Sequence, residues 1–243
     1  MSCNSLHIAI PVYNEADNIV NVLDEIEVKV STPHRISIIY DFDEDTTLPV
    51  VNKFIQELQV KCIALIKNHY GRGVLNAIKT GFDVATDGVI LIVMADSSDD
   101  LSVVDVMFEK INHGSDIVCG SRYMKGGSQI GGPRFKNLLS RTAGISLCWI
   151  TGLPTHDPTN SFKMYRKSAL QNMVIESSGG FEIGMEIVVK AFLMGYKITE
   201  VPSTWRDRTA GISRFKLRKW LPKYIRWYSY AITGRLKNSG IIR

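Results

Sequence analysis

Cysteine is scarce and scattered in this chain: Cys3, Cys62, Cys119 and Cys148 are the four, with no Cys-x-x-Cys pair and no histidine at metal-ligand spacing. That excludes a disulfide framework and a zinc ribbon, and reads as free thiols in a reducing compartment. Long hydrophobic runs are missing too. The longest charge-free stretch, Thr142 to Thr155, contains two glycines and a proline. It falls short of the ~18 apolar residues a membrane span needs. No basic segment followed by an apolar one stands at the N-terminus, so no signal peptide is expected. Internal repeats, low-complexity tracts, a Walker loop and a Gly-x-Gly-x-x-Gly fingerprint are all absent. Acids are nearly absent from one end. From Trp205 onward there are eleven Lys or Arg against a single acid, Asp207.

What is present is a globular composition, 45% hydrophobic and 22% charged over 243 residues, enough for one large domain with an appendage. The net charge of +5 combines a mildly acidic body with the basic tail. Such a tail suits a polyanionic partner: phosphates, an anionic membrane face or nucleic acid. Nucleic acid is the weakest of these, because the tail carries no recognised binding motif.

Apolar runs at 6–12, 35–40, 61–66, 89–94 and 116–120 alternate with helical patterns at 16–30, 47–59, 74–86 and 102–112. Near-continuous apolar strands alternating with helices predict an α/β fold, a parallel sheet covered on both faces. After residue 123 the four glycines of 124–133 read as a mobile loop, followed by a helix over 134–150. A strand over 161–166, a helix over 181–195 and a strand over 196–205 complete the body.

In parallel sheets ligands bind beyond the carboxyl ends of the strands. The residues there are Tyr13-Asn14-Glu15, then Asp41 to Asp45, then Asn68 to Gly73, then Asp96 with Asp99 and Asp100, then Gly120 to Tyr123. Each alone is compatible with ordinary helix capping. Together they set acids, a short Gly-x-Gly at Gly71 and Gly73, and Arg122 on one edge. Clustered carboxylates repel one another unless a cation intervenes. Hard oxygen ligands select Mg²⁺ or Mn²⁺, which usually bind one or two carboxylates plus substrate phosphates. Asp96 is the leading ligand, and Asp99 and Asp100 are either ligands or caps of the helix beginning near Ser102. Asp41 is placed to accept from a base or a ribose hydroxyl. The residues by themselves support a metal-dependent nucleotide-binding α/β enzyme.

The ordered set AIPVYNEADNI (9–19), YDFDEDTT (40–47), VMADSSDD (93–100), GSRY (120–123), DPTNSFKMYR (157–166) and DRTAGISRFKL (207–217) resembles family 2 glycosyltransferases. The fit is closest to the polyprenyl-phosphate branch typified by dolichol-phosphate mannose synthase. The resemblance implies a GT-A fold, a Rossmann-like nucleotide-binding sheet with helices on both faces. It also implies a nucleotide-sugar donor, Mg²⁺ or Mn²⁺, and inversion at the anomeric carbon. On that basis Pro11, Tyr13, Glu15, Asp41 and Asp45 line the nucleoside pocket, although Tyr40 stands where the family has another acid. Asp96 holds the metal, with Ala95 in place of the family's first aspartate and Asp99 or a water as the second ligand. Arg122 contacts the acceptor phosphate, with Lys136, or Arg134 in its place, and Ser140 as further acceptor-side residues. Asp157 lies by the transferred sugar, and Arg208, Ser213 and Arg214 form a phosphate clamp. The processive synthases' Gln-x-x-Arg-Trp motif is only echoed at Lys223 to Trp227, without the glutamine.

The expected reaction moves one sugar from a GDP- or UDP-sugar to a polyprenyl phosphate. Transfer to a hydroxyl of a glycan or glycolipid, and an inactive paralogue acting as a binding subunit, are the alternatives. A hydroxyl acceptor needs a general base, for which Asp157 and then Glu182 are the candidates. The domain is expected to span 1–214, with a basic amphipathic helix over 215–243. Leu217, Trp220, Leu221, Tyr224, Ile225, Tyr228 and Ile232 form its apolar stripe. That stripe would lie on the cytoplasmic face of a membrane or dock a membrane-spanning partner, with Pro222 expected to break or delay the helix.

Overall fold

The computed structural model describes residues 6–58, 62–207 and 217–238. Five strands form in the order the apolar runs dictate: β1 (Leu6–Pro11), β2 (His34–Tyr40), β3 (Ile63–Lys67), β4 (Val89–Ile92) and β5 (Ile117–Ser121). Between them lie α1 (Ile19–Lys29), α2 (Thr47–Leu58), α3 (Val74–Val84) and α4 (Val104–Asn112), the last entered through one 3-10 turn. Next come β6 (Ser128–Ile130), α5 (Arg134–Thr151), β7 (Lys163–Arg166), α6 (Lys167–Gln171) and α7 (Ile183–Leu193). β8 (Ile198–Pro202), β9 (Thr204–Arg206) and α8 (Leu217–Asn238) close the chain.

The main sheet has seven strands in the order β3-β2-β1-β4-β7-β5-β8. Its β-branched strands are buried on both faces, as a sheet sandwiched between helices requires. Ile8, Ile10 and Leu91 pack toward α1, α2 and α4, while Ala9, Ile90 and Ile92 pack toward α3, α7 and α8. The all-parallel expectation needs one correction. β7 inserts between β4 and β5 and runs antiparallel to both. The chain leaves β5 along the ligand edge, runs out through α5, and re-enters the sheet from that same edge.

Two other expectations change. The run at 196–205 splits at Ser203 into β8 in the main sheet and β9, which pairs in parallel with β6. The glycine-rich segment 124–133 is therefore anchored through β6 to the Trp205 region. Pro222 lies inside α8, in its second turn, and the helix continues through it. As the sixth residue of the helix it lies past the four donors that lack intrahelical partners, so its missing N–H costs the helix one hydrogen bond, to the carbonyl four residues back.

α8 is no detached appendage. Trp227 and Ala231 are buried where α8 meets α7 and α5, and Trp220 is buried beside Gly180 and Phe181, just ahead of α7. Lys190 of α7 sits over the Trp227 ring at 5.0 Å and pairs with Glu186 at 2.7 Å and Glu176 at 2.6 Å. α5 approaches the 156–158 segment so closely that a Cβ at Gly144 would overlap the His156 carbonyl. Gly144→Val should lower stability by about 1–3 kcal/mol through overpacking against backbone, read as a fall in thermal midpoint. An unchanged midpoint would show that α5 can withdraw freely.

Candidate active site

The strand tips meet as the sequence predicts, but several of the acids are spent on holding the edge together. Asp45 is buried, and its two oxygens accept from the Asn14 amide, both at 3.1 Å; one also accepts from Thr47 N at 2.9 Å. Thr47 Oγ1 in turn accepts from Glu15 N at 2.9 Å, and Glu15 accepts from Asn18 Nδ2 at 2.8 Å. These contacts fix the tight turn after β1, where Asn14 adopts φ 53°, a left-handed conformation that asparagine tolerates better than most residues. Pro11 is buried in β1 and Tyr13 stands half-exposed beyond it.

Asp41 joins the next two tips. It accepts from Asn68 Nδ2 at 2.8 Å and from Gly73 N at 2.9 Å. Gly73 has φ 119°, a backbone open only to glycine at ordinary cost. Asn68 is the hub that sequence reasoning underweighted. Its amide also donates to Gly71 O, and its oxygen accepts from Tyr70 N and Thr80 Oγ1. An Asn after an apolar strand and before Gly-x-Gly was the available signal. Above this frame Tyr13 meets Phe42 edge-on at 5.2 Å, and Arg72 lies 5.1 Å over Phe42. That surface, drawn from three strand tips, offers a planar aromatic platform and a cation.

At the fourth tip the strand ladder ends because a side chain takes the next donor: Met94 N donates to Asp99 Oδ2 at 3.0 Å. Asp96 accepts from Ser98 N at 3.2 Å across Ser97, which has φ 56°. Asp100 behaves as a cap. It accepts from Ser102 N and Oγ at 3.2 and 2.5 Å and from Thr204 N at 3.2 Å, so it also pins β9. Burial pushes the Asp99 carboxyl up to about 7, with the Asp96 charge adding to the rise. Two carboxylates crowded out of water, beside a buried Ser97 hydroxyl that has no hydrogen-bond partner, make an oxygen donor set that fits a hard divalent cation. Among the described residues no group of three or more His, Cys, Asp or Glu converges. A cation here would therefore lean on phosphates of a ligand. The same loop borders a cavity of about 230 Å³ reaching Arg206.

The fifth tip carries the most tightly held charge pair. Arg122 donates through Nε to Asp157 at 2.6 Å, through Nη2 to the other carboxylate oxygen at 2.9 Å, and to Thr159 Oγ1 at 3.1 Å. Asp157 also accepts from Arg122 N, Thr159 Oγ1 and Asn160 N. Although burial opposes it, the Arg122 guanidinium holds Asp157 below the usual carboxylate range. Asp157, expected as the best base, is thus a fixed anion with both oxygens engaged. Glu182, the second candidate, accepts from Gly179 N at 2.6 Å and Gly180 N at 2.7 Å and shapes the turn before α7. Glu186 receives Glu176 N, Ser177 N and Lys190.

Tyr123 hydrogen-bonds Ser140 of α5 and donates to Gln129 Oε1 at 3.0 Å, so Arg122 and Ser140 are brought to one place. Lys136 lies one turn before Ser140 on the same helix. Lys163, a fully buried lysine of β7, donates to Pro158 O at 3.1 Å and to Asn160 O. Its charge is felt by both Asp99 and Asp157, so it bridges the acidic loop and the arginine electrostatically. A charge inside the run SFKMYR was its sequence signal. Arg208, Ser213 and Arg214 lie outside the described residues.

An edge so built, acids at the fourth tip and a clamped arginine at the fifth, occurs on a chain that matches glycosyl transferase family 2 over residues 7–174. The chain belongs to that family. Among curated relatives it is 28% identical to a dolichol-phosphate mannosyltransferase of Pyrococcus furiosus, covering 97% of this chain and 70% of the relative. It is 24% identical to a polyprenol monophosphomannose synthase of Mycolicibacterium smegmatis, covering 97% and 91%. Among solved structures it resembles mannosyl-3-phosphoglycerate synthase from Rubrobacter xylanophilus, with a TM-score of 0.63, 17% identity, and 99% and 76% of the two chains covered. Glucosyl-3-phosphoglycerate synthase from Mycobacterium tuberculosis, solved with Mn²⁺ and UDP, gives 0.62 at 16% identity, covering 99% and 81%. These likenesses make the fold GT-A. As a family 2 glycosyltransferase the chain transfers sugar from a nucleotide sugar. Among its described residues no helix is long and apolar enough to cross a membrane.

Proposed function

We propose that this glycosyltransferase moves one sugar, with inversion, from a GDP- or UDP-sugar to a polyprenyl phosphate at the cytoplasmic face of a membrane. The observation that carries the reading is the state of the acceptor side. Asp157 and Glu182, the two candidate bases, are committed to Arg122 and to backbone amides, whereas Arg122 is fixed as a cation. A hydroxyl acceptor needs a base to take its proton. A phosphate monoester, with a second pKa near ~6, is already nucleophilic at neutral pH and needs a matching cation instead. The names of the two curated relatives, each matched over 97% of this chain, point to the same acceptor class and make mannose the first sugar to test.

In this reading Tyr13, Glu15 and Asp41, with Pro11 and the Asp45-held turn beneath them, frame the nucleoside, and Gly71 and Gly73 let the backbone come close. Asp96 and Asp99 would hold Mg²⁺ or Mn²⁺. A bound divalent ion supplies charge neutralisation for the departing diphosphate. Asp157 orients Arg122, and Arg122, Lys136 and Ser140 set one acceptor phosphate oxygen in line with the anomeric carbon. That oxygen forms the new C–O bond as the bond to the donor diphosphate breaks, and nucleoside diphosphate leaves with the bonding electron pair. Arg208, Ser213 and Arg214 are assigned by resemblance to the clamp over the phosphates.

The test is transfer of label from a panel of GDP- and UDP-hexoses into an organic phase containing polyprenyl phosphate, with Mg²⁺ or Mn²⁺. Label from at least one donor is expected. No label from any donor sinks the reading, and label that appears only on a hydroxyl acceptor moves the enzyme to the glycan class.

A further inference from the structure

An ammonium in the middle of a sheet is destabilising unless something holds it, and Lys163 is fully buried there. Lysine is almost never removed from water unless paired. Yet among the described residues its hydrogen-bond acceptors are two backbone carbonyls, Pro158 O at 3.1 Å and Asn160 O. α7 shuts the site, since a Cβ on Gly184 would stand 3.5 Å from Nζ. Burial pulls the Lys163 pKa down and Arg122 adds to that, while Asp157 and Asp99 favour the ammonium. An apolar residue of the same length would fill the space without the desolvation penalty.

The position is set by β7, the strand that runs against its neighbours. Lys163 stands opposite Ile92 of β4 on one side and Cys119 of β5 on the other. Four residues beyond Ile92 is Asp96, and three beyond Cys119 is Arg122. The ammonium therefore lies between the acidic loop and the arginine. The carbonyls it grips belong to the turn 157–160. Asp157 and Thr159 of that turn hold Arg122, and Asn160 Nδ2 donates to Gly120 O at 2.9 Å. Charge points the same way. Arg122 and Asp157 form a pair without net charge, which by itself draws a phosphate weakly. Asp96 and Asp99 add two acids to the same edge. Lys163 is the cation not consumed by the Arg122 pair, and its burial leaves it little screened by salt.

We propose that Lys163 is a positioning residue of the acceptor site. It staples the turn that aims Arg122, and its buried charge supplies the attraction for an acceptor phosphate that the Arg122–Asp157 pair lacks. The role rests on the reading of the acceptor as a phosphate. Lys163 touches neither substrate and acts through Arg122 and through the local field. A staple alone would work with any hydrogen-bond donor at position 163, whereas the charge cannot be replaced by a neutral one.

Two uncharged variants separate these roles. Lys163→Gln keeps a side-chain N–H for the carbonyls. Lys163→Met fills the space without donor or charge, and apolar replacement of buried charge is often tolerated by the fold. Transfer to a short, water-soluble prenyl phosphate is measured beside the thermal midpoint. Both variants should raise the acceptor KM about ten-fold, the effect of one unit charge at about 12 Å where the effective dielectric is about 20. The nucleotide-sugar KM should change by about two-fold or less, since the Asp96–Asp99 loop is where a divalent cation would neutralise that diphosphate. The midpoint should fall further in the methionine variant, which strands both carbonyls. An acceptor KM within about two-fold of wild type, in whichever variant folds, overturns the role and leaves the acceptor reading standing. So does a glutamine variant that matches wild type while only the methionine variant fails, because a staple without charge would do that. Wild-type label that reaches only a hydroxyl acceptor overturns the acceptor reading and the phosphate role of Lys163 with it.

Discussion

Asp157→Ala should destabilise the protein by about 3–5 kcal/mol, because it leaves Arg122 charged and nearly dry without its partner. The Arg122 side chain is only 10% exposed, and Asp157 supplies two of its short contacts. Removing the carboxylate also strands the Asn160 amide and the Thr159 hydroxyl that donate to it. A denaturant titration with unchanged slope and a lowered midpoint would record the loss. The pair Arg122→Met with Asp157→Leu should recover most of the stability, since apolar replacements of a buried ion pair are often neutral or better. Transfer should stay abolished in that pair. Recovery of both would show that Arg122 serves the fold and not the acceptor. The sign with pH follows. Asp157 is depressed in the folded state, so its stabilisation is present above its unfolded pKa and lost as pH falls through the folded one.

Asp96→Asn should leave the fold intact and lower sugar transfer by about 10²–10³-fold, the scale of losing one preorganised electrostatic contact to developing charge. An asparagine oxygen can still accept from Ser98 N, so the turn across Ser97 survives. What disappears is a full negative charge beside Asp99. Titration with Mn²⁺ should show weakened dependence on the ion alongside the lost turnover. Transfer within about ten-fold of wild type would refute Asp96 as a ligand. Asp100→Asn is the contrast, because Asp100 is committed to Ser102 and Thr204. It keeps an oxygen for the Ser102 cap but sets an amide nitrogen against Thr204 N or the cap, so it should cost about 1 kcal/mol, as loss of one hydrogen bond does, and leave transfer nearly unchanged.

Much of the edge was legible because strand tips in a parallel sheet are marked by an abrupt change from apolar to polar residues. Val89 to Met94 giving way to Asp96, and Ile117 to Gly120 giving way to Arg122, are such changes, and both tips lie where expected. The division of labour among the acids was not legible. Asp41, Asp45, Asp99 and Asp100 are one residue type in similar local settings. Only the position of a distant amide, that of Gly73, Asn14 or Thr204, marks Asp41, Asp45 and Asp100 as clamps or a cap. That Asp157 is engaged by Arg122 was not legible for the same reason, since the two lie 35 residues apart.

The sequence by itself determined the alternating α/β layout, the line of polar strand tips, and the family, because those are written in local periodicity and ordered motifs. It determined that one end would be basic and that no long apolar span exists. Only the tertiary structure decided that β7 runs against its neighbours, that Asp157 belongs to Arg122, and that α8 folds onto α7 while α5 turns Phe135, Leu138 and Trp149 outward. Helical periodicity reveals that a helix has an apolar side. Which side faces inward is set by what packs against it: for α5 the 156–158 segment fits only the face that carries Gly144.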